Sequence, residues 1–307
     1  MDLSTGKPIK LTDKKLFDEY FQKFPPETSE LTFTNLFMWR NYYNFLYLEY
    51  DGHIILFSYD YLKNHRKPIQ SNSRDYLYFF PPIGPSPDNI ILQLFENFEN
   101  IEIHRVPEDI CEKLTENEKF LNMNLKCLED RNNWDYIYNK EEIVNLVGNK
   151  YRQNRRWLNK FLENYQYEFQ LINEDLITKC KELQLEWCIM RACTEDESLE
   201  AEQEAIYEAL NNFNKLGFKG GLICVEDKCA AYTFGEMLND STLVIHIEKA
   251  HADYEGAYQA INNFFLKSCC KDAIFVNREQ DLGIEGLRRA KESYKPIKMI
   301  KKNIIYR

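Results

Sequence analysis

The sequence predicts an α/β (α+β) protein of two consecutive domains, 1–140 and 141–307, each built on a mostly antiparallel central sheet. Three observations carry this. The stretch "NFLYLEYDGHIILFSY" (44–59) joins two β-prone runs through Asp51-Gly52, the dipeptide of a tight hairpin turn. The runs "KGGLICVED" (219–227), "KCAAYTFGEML" (228–238) and "STLVIHIEKA" (241–250) are separated only by Glu226-Asp227 and Asn239-Asp240, which makes a meander. After each hairpin or meander the pattern switches between helical and strand periods.

The first domain opens with "KKLFDEYFQKF" (14–24), which has helical periodicity and stops at Pro25-Pro26. A second apolar helix, "FTNLFMWRNYY" (33–43), precedes the hairpin. "DYLYFFPPIG" (75–84) is a strand closed by prolines. Helix 88–98, strand "IEIHRVP" (101–107), helix 108–117 and strand "NWDYIYN" (133–139) follow. In the second domain a long helix, 141–165, leads to strand "YEFQLIN" (167–173), then to helices 174–192 and 197–217, the last stopped by Gly217. The meander comes next. A helix (255–268), a strand ("DAIFVN", 272–277), a helix (283–294) and a last strand (298–306) complete the order. No residue-level repeat relates the halves.

Composition bounds the function. With 44% hydrophobic and 14% aromatic residues the chain has ample core material. A formal net charge of −10 argues against general affinity of the whole surface for nucleic acid, DNA included, or for anionic membranes, though a local basic patch can act inside an acidic protein. No run approaches the roughly 20 apolar residues that a membrane helix requires, and the first residues lack the apolar segment of an export signal, so the expected location is cytoplasmic. Nine cysteines without CxxC spacing argue against a zinc site, and a disulfide framework is not expected in a chain this large without an export signal; most are expected as buried small hydrophobes, and no metal is expected.

Four stretches carry candidate chemistry. From 144 to 162 stand Lys150, Arg152, Arg155, Arg156 and Lys160 with no acidic residue. Tyr151, Leu158 and Phe161 form the apolar face of that helix, and Arg152, Arg155 and Arg156 an adjoining stripe suited to phosphate or carboxylate. The alternative is a solvated face paired with acidic neighbours. In strand 241–250, His246 and Glu248 share one side, as a general base and its partner require, or as a hydrogen-bonded pair under a covering helix. Gly256 and Ala257 open the following helix, where free backbone N–H groups receive a phosphate. Last, "NREQD" (277–281) leaves a strand at the sheet's C-terminal edge, where ligands bind in open sheets. Asp281 is expected as a helix cap. Asn277, Arg278 and Glu279 are expected to line a cleft shared with the arginine stripe and Glu248. Arg288 is expected to pair with Glu285 or to point back to the same edge.

A meander feeding a β-α-β-α-β tail is the order of the acyl-CoA N-acyltransferase (GNAT) fold. The blocks "FTNLFMWR" (33–40), "GNKYRQNRRWLNKF" (148–161), "HIEKAHADYEGAYQAIN" (246–262) and "NREQDLGIEGLRRAKESYKP" (277–296) resemble an uncharacterised family related to the C-terminal catalytic domain of phosphatidylglycerol lysyltransferases. The resemblance implies tandem GNAT-like domains, the fold shared with aminoacyl-tRNA-dependent peptidoglycan transferases, and transfer of an acyl or aminoacyl group to an amine or hydroxyl acceptor. It implies tRNA as a partner and acyl-CoA or aminoacyl-tRNA as donor. No catalytic residue is carried over from that family; on the residues themselves Glu248 and Glu279 are the candidate catalytic carboxylates, Arg152, Arg155, Arg156, Asn277, Arg278, Arg288 and His246 are expected to contact substrate, and Gly256 and Ala257 to meet a cofactor phosphate. CoA-dependent acetyltransferases place Gln or Arg three residues before that glycine. "DYEGAY" has none and puts Glu255 at the mouth, so acetyl-CoA is expected to bind weakly or not at all. The rival is a non-catalytic GNAT-like protein that senses a small molecule.

Overall fold

The computed structural model describes residues 1–69 and 76–307. The expected strand 75–84 thus has its first residue outside the described residues. Strands of the N-terminal half are β1 (Lys7–Pro8), β2 (Leu46–Tyr50), β3 (His53–Ser58), β4 (Leu77–Phe79), β5 (Ile101–Pro107) and β6 (Lys126–Glu129). They are followed by β7 (Asp135–Asn139), β8 (Tyr167–Leu171), β9 (Lys219–Val225), β10 (Lys228–Met237), β11 (Thr242–Ala250), β12 (Phe275–Asn277), β13 (Lys298–Ile300) and β14 (Lys302–Tyr306). Two compact units result: Met1–Asp135 with Ile300–Arg307, and Tyr136–Met299.

The first unit holds a sheet in the order β1-β2-β3-β4-β5-β14-β6. The β2–β3 turn works because Asp51 and Gly52 both adopt positive φ (48° and 72°), the twist a two-residue hairpin needs. Strands β4 and β5 run parallel through the crossover helix Pro87–Asn97. The core gathers Ile55, Phe57, Phe79, Ile91, Leu94, Phe95, Ile103 and Ile305, each fully or almost fully buried.

The second unit holds a sheet in the order β13-β7-β12-β11-β10-β9-β8. Strands β11 and β12 pair in parallel and are joined through the helix Ala257–Ser268. Tyr136, Tyr138, Phe161, Ile223, Leu243, Ile261, Phe265 and Val276 fill its core. A buried side chain of this kind contributes about 1.5–3 kcal/mol. Read in reverse, this sheet repeats the first strand for strand, with β7 standing where β14 stands.

That equivalence corrects the expected division at 140/141. Strand β7, read as the end of the first domain, pairs antiparallel with β12 (Val276 with Tyr138) in the second sheet. Strand β14, read as the end of the second, lies between β5 and β6 in the first (Asn303 with Val106, Ile304 with Leu128). Periodicity shows that a run is a strand but not which edge accepts it. The single strand expected over 298–306 is therefore two, split at Lys301. The helix expected over 141–165 is also broken. Leu146 and Gly148 take positive φ (52° and 90°), leaving Lys140–Asn145 and Arg152–Asn164 as separate helices.

Four cysteines depart from the expectation of isolated hydrophobes. Cys111 and Cys127 form a disulfide with Cα atoms 6.4 Å apart, and Cys188 and Cys193 one at 5.1 Å. The helix Glu108–Thr115 packs on β6, which brings the first pair within bonding geometry. Cys180, Cys224, Cys229 and Cys269 are buried thiols, as expected.

Candidate functional site

Strands β11 and β12 pair only from Thr242 with Phe275 to Val244 with Asn277, and then part. β11 runs on to Ala250, whereas the other chain turns away through Glu279, held at φ 55°. Where two parallel strands diverge, side chains enter the space that the ladder vacates. Here they are all polar. Asn277 is completely buried, and its Oδ1 accepts the Glu279 N–H at 2.8 Å, which fixes the turn.

Two ionic groups occupy the fork. In the first, Arg278 Nη2 donates to Glu248 Oε1 at 2.7 Å, and Asn262 Nδ2 donates to Glu248 Oε2 at 2.9 Å. The guanidinium lies over the Tyr294 ring at 4.7 Å, a cation–π contact. Burial works against the charge of Arg278, but Glu248 and the tyrosines outweigh it and hold its pKa above the ordinary value. In the second group, His246 Nδ1 meets Glu279 Oε1 at 2.9 Å and Nε2 meets Glu236 Oε1 at 3.0 Å. Burial pushes the imidazole toward neutrality; the two carboxylates more than reverse this and raise its pKa to about 9. His246 is thus an imidazolium at neutral pH, while Glu236 and Glu279 keep 18% of their side-chain surface in solvent.

Asp281 does not cap the next helix, which begins at Glu285. It is fully buried and accepts from Tyr136 Oη (2.6 Å), Gly283 N (2.8 Å) and Arg288 Nε (2.9 Å). Arg288 therefore points back to the sheet edge, and Glu285 pairs with Arg289 instead. The structure brings His246, Glu248, Asn277, Arg278, Glu279 and Arg288 together. Glu236 and Asn262 escaped the sequence reading. A β-bulge at Phe234/Gly235 shifts the register and sets Glu236 opposite Val244, and alternation cannot reveal a bulge. A polar residue on the apolar stripe of helix Ala257–Ser268 was the available signal for Asn262.

The arginine stripe stands elsewhere. A groove of about 450 Å³ is lined by Arg152, Arg155, Arg156, Asn159, Lys160 and Glu163, so the cleft expected with 277–279 is not shared. Residues on one outward helix face cannot also turn inward: it is the opposite face, with Asn154, Leu158 and Phe161, that is buried. Arg155 Nη1 donates to the carbonyls of Leu146 and Gly148, closing the end of helix Lys140–Asn145. Arg152 and Arg156 are exposed and carry no ion pair among the described residues.

The turn at Gly256 and Ala257, expected to receive a phosphate, is filled by the protein's own groups. The Ala257 N–H donates to Tyr254 O and the Glu255 N–H to Tyr165 Oη. A Cβ on Gly256 would lie 2.1 Å from Trp157 O. Glu255 itself pairs with Lys160. These residues do not fit a CoA pyrophosphate.

A family model described as phosphatidylglycerol lysyltransferase, C-terminal, matches residues 21–306. A conserved protein of unknown function from Bacteroides thetaiotaomicron is 31% identical, with 98% of each chain covered and a TM-score of 0.85. L-PGS from Bacillus licheniformis (12% identity, 96% and 92% covered, TM-score 0.63) and FemX (10%, 100% and 97%, 0.58) share the fold. An uncharacterised protein of Mycoplasmoides gallisepticum is 24% identical over 174 residues, so the chain spans about half the length of that curated relative (55%). The architecture is the tandem GNAT-like one. Among the described residues no helix is long and apolar enough to cross a membrane.

Proposed function

The chain belongs to the phosphatidylglycerol lysyltransferase C-terminal family, and from that premise we propose that it transfers an acyl group, carried as an aminoacyl ester on tRNA, to an amine or hydroxyl acceptor. The observation that carries this reading is the polar fork between β11 and β12, with Glu248 held from both sides by Arg278 and Asn262.

In the proposed reaction the lone pair of the acceptor attacks the ester carbonyl. The new C–N or C–O bond forms as the C–O bond to the donor ribose breaks. Glu248 receives the proton of the acceptor and returns it to the departing ribose hydroxyl, so the enzyme ends as it began. Each Glu248 oxygen accepts one hydrogen bond and keeps a lone pair for this. Glu279, beside the His246 imidazolium, is the second catalytic candidate. Fixed charges in a partly water-excluded fork stabilise the oxyanion without reorganisation. Arg152, Arg155 and Arg156 attract the phosphates of the donor. The filled turn at Gly256 supports a donor other than CoA.

The test supplies hydroxylamine as a generic acceptor, with a pool of aminoacyl-tRNA or with acetyl-CoA as donor, and subtracts the uncatalysed hydroxamate. Formation from aminoacyl-tRNA alone is the expected result. Turnover of acetyl-CoA instead would overturn the donor assignment. Binding of a donor without turnover would favour the sensing alternative.

A further inference from the structure

A buried backbone N–H needs a partner, and the open edge of β11 poses the question of where its N–H groups go. In an antiparallel ladder the N–H groups of successive residues point to alternate edges of a strand. The His251 N–H donates to Ala230 O on the β10 side, which leaves the N–H of Ala250 on the opposite edge. That is the edge β12 abandons once Val244 has paired with Asn277. Ala250 is buried, and its N–H is met by a side chain: the hydroxyl oxygen of Tyr258 accepts from it, and from the indole N–H of Trp187 as well.

Two N–H groups take up both lone pairs of that oxygen, so Tyr258 has one hydrogen-bonding capacity left, the donation of its own proton. Its position suits such a donor. Tyr258 precedes Asn262 by one turn on one face of the helix Ala257–Ser268, and Asn262 holds Glu248 Oε2 at 2.9 Å. Glu248 keeps 11% of its side-chain surface in solvent, whereas Tyr258 is 39% exposed. A bulky departing alcohol therefore meets the tyrosine at the rim before the carboxylate behind it. The charged groups facing the hydroxyl are Glu248, from β11, and Arg191, from the helix Ile177–Arg191. Burial of the hydroxyl end raises its pKa above the ordinary value, against the pull of the two N–H donors, so the proton is in place at neutral pH.

Resting on the transferase reading, we propose that Tyr258 is a catalytic residue, the general acid that protonates the departing ribose oxygen. As the C–O bond to the ribose breaks, its electron pair takes the Tyr258 proton. The tyrosinate that results is stabilised by the Ala250 and Trp187 N–H groups, which already point at it. It regains a proton from Glu248, which has taken one from the attacking acceptor. The return of the proton to the donor thus runs through Tyr258, and none is gained or lost.

Single-turnover hydroxamate formation from aminoacyl-tRNA and hydroxylamine tests this in three proteins: wild type, Tyr258→Phe, and one with the Tyr258 ring fluorinated at both positions beside the hydroxyl. Tyr258→Phe keeps the ring and loses the proton, so its rate is expected to fall about a hundredfold or more, the scale of a lost general acid. Fluorination lowers the pKa of the hydroxyl with little change of shape. The alkaline limb of the pH–rate profile is then expected at lower pH than in wild type, a shift that a purely structural hydroxyl would not produce. An undiminished rate in Tyr258→Phe would overturn the inference and leave the transferase reading standing. So would an unmoved alkaline limb in the fluorinated protein, which decides the matter even where Tyr258→Phe fails to fold. Absence of transfer by wild type at any pH would overturn the two together.

Discussion

The two units place a charged residue in left-handed conformation at matching points of their folds, Arg105 at φ 62° and Glu279 at φ 55°, each where the second parallel strand bends. What surrounds the two differs. Arg105 meets Glu30 and Asp130, and Lys302, fully buried, bridges Glu30 and Asp135 at 2.6 Å. Ser29 donates to Asp135, and Tyr43, Tyr61, Tyr78, Phe45 and Phe80 pack into an aromatic cluster nearby. That network is sealed. In the second unit Glu236 and Glu279 each keep 18% of their side-chain surface in solvent. One topology thus carries an ionic lock beside an aromatic cluster and an accessible fork.

Each unit also buries one histidine beside glutamate, with opposite outcomes. His104, whose ring lies 4.6 Å from that of Tyr78 and so belongs to the lock, has Glu102 at 2.8 Å, but burial, assisted by Arg66 and Arg105, lowers its pKa to about 4. His246, with a carboxylate on each ring nitrogen, rises to about 9. The residue type is constant and the local charge decides.

The largest expected effect breaks the lock. Lys302→Met leaves Glu30 and Asp135 buried without their shared cation and is expected to destabilise the protein by about 3–5 kcal/mol. Urea unfolding measures it; a loss below about 1 kcal/mol would mean the network is not needed for stability.

The histidines give the next effect, and its signs oppose. His246 binds its proton more tightly in the folded state, so its contribution is complete below about pH 6.5, the unfolded value, and is lost as pH rises through about 9. His104 binds its proton less tightly when folded, so its contribution is present above about pH 6.5 and is lost as pH falls through about 4. Each is worth at most roughly 3 kcal/mol. Stability against pH should be a dome whose alkaline limb flattens in His246→Gln and whose acid limb flattens in His104→Gln. Unchanged limbs would contradict the assigned charge states.

The smallest effects separate the arginines of the stripe. Arg155→Ala removes donors to the Leu146 and Gly148 carbonyls and is expected to cost about 1 kcal/mol of stability. Arg156→Ala is expected to leave stability within about 0.5 kcal/mol, as for exposed side chains generally, and to weaken tRNA binding in a salt-dependent way. Equal effects of the two on melting would erase the distinction.

Much of this comparison was legible in the sequence. Asp51-Gly52 marked the hairpin, and alternation put His246 and Glu248 on one side of their strand, where both are found. The polar run 277–281 marks a site because a strand ending in five polar residues has no packing explanation. What stayed hidden depended on long-range pairing. Ile304 and Ile305 read as strand, but nothing local says that β5 and β6 receive them. Glu236 depends on a bulge, and Asp281 read as a helix cap because its partners Tyr136 and Arg288 lie 145 and 7 residues away. The arginine stripe was visible as a helix face, but its position relative to the fork was not.

The central claim is that chemistry belongs to the fork and stability to the lock. Hydroxamate formation from aminoacyl-tRNA by wild type, Glu248→Gln and Glu102→Gln tests it most directly, with rates taken per folded molecule. Glu248→Gln should lose on the order of a hundredfold or more, the scale of a lost general base, with its melting temperature little changed. Glu102→Gln should melt earlier and keep the wild-type rate. A Glu248→Gln protein that transfers at the wild-type rate, or a folded Glu102→Gln protein that does not transfer, would contradict the account.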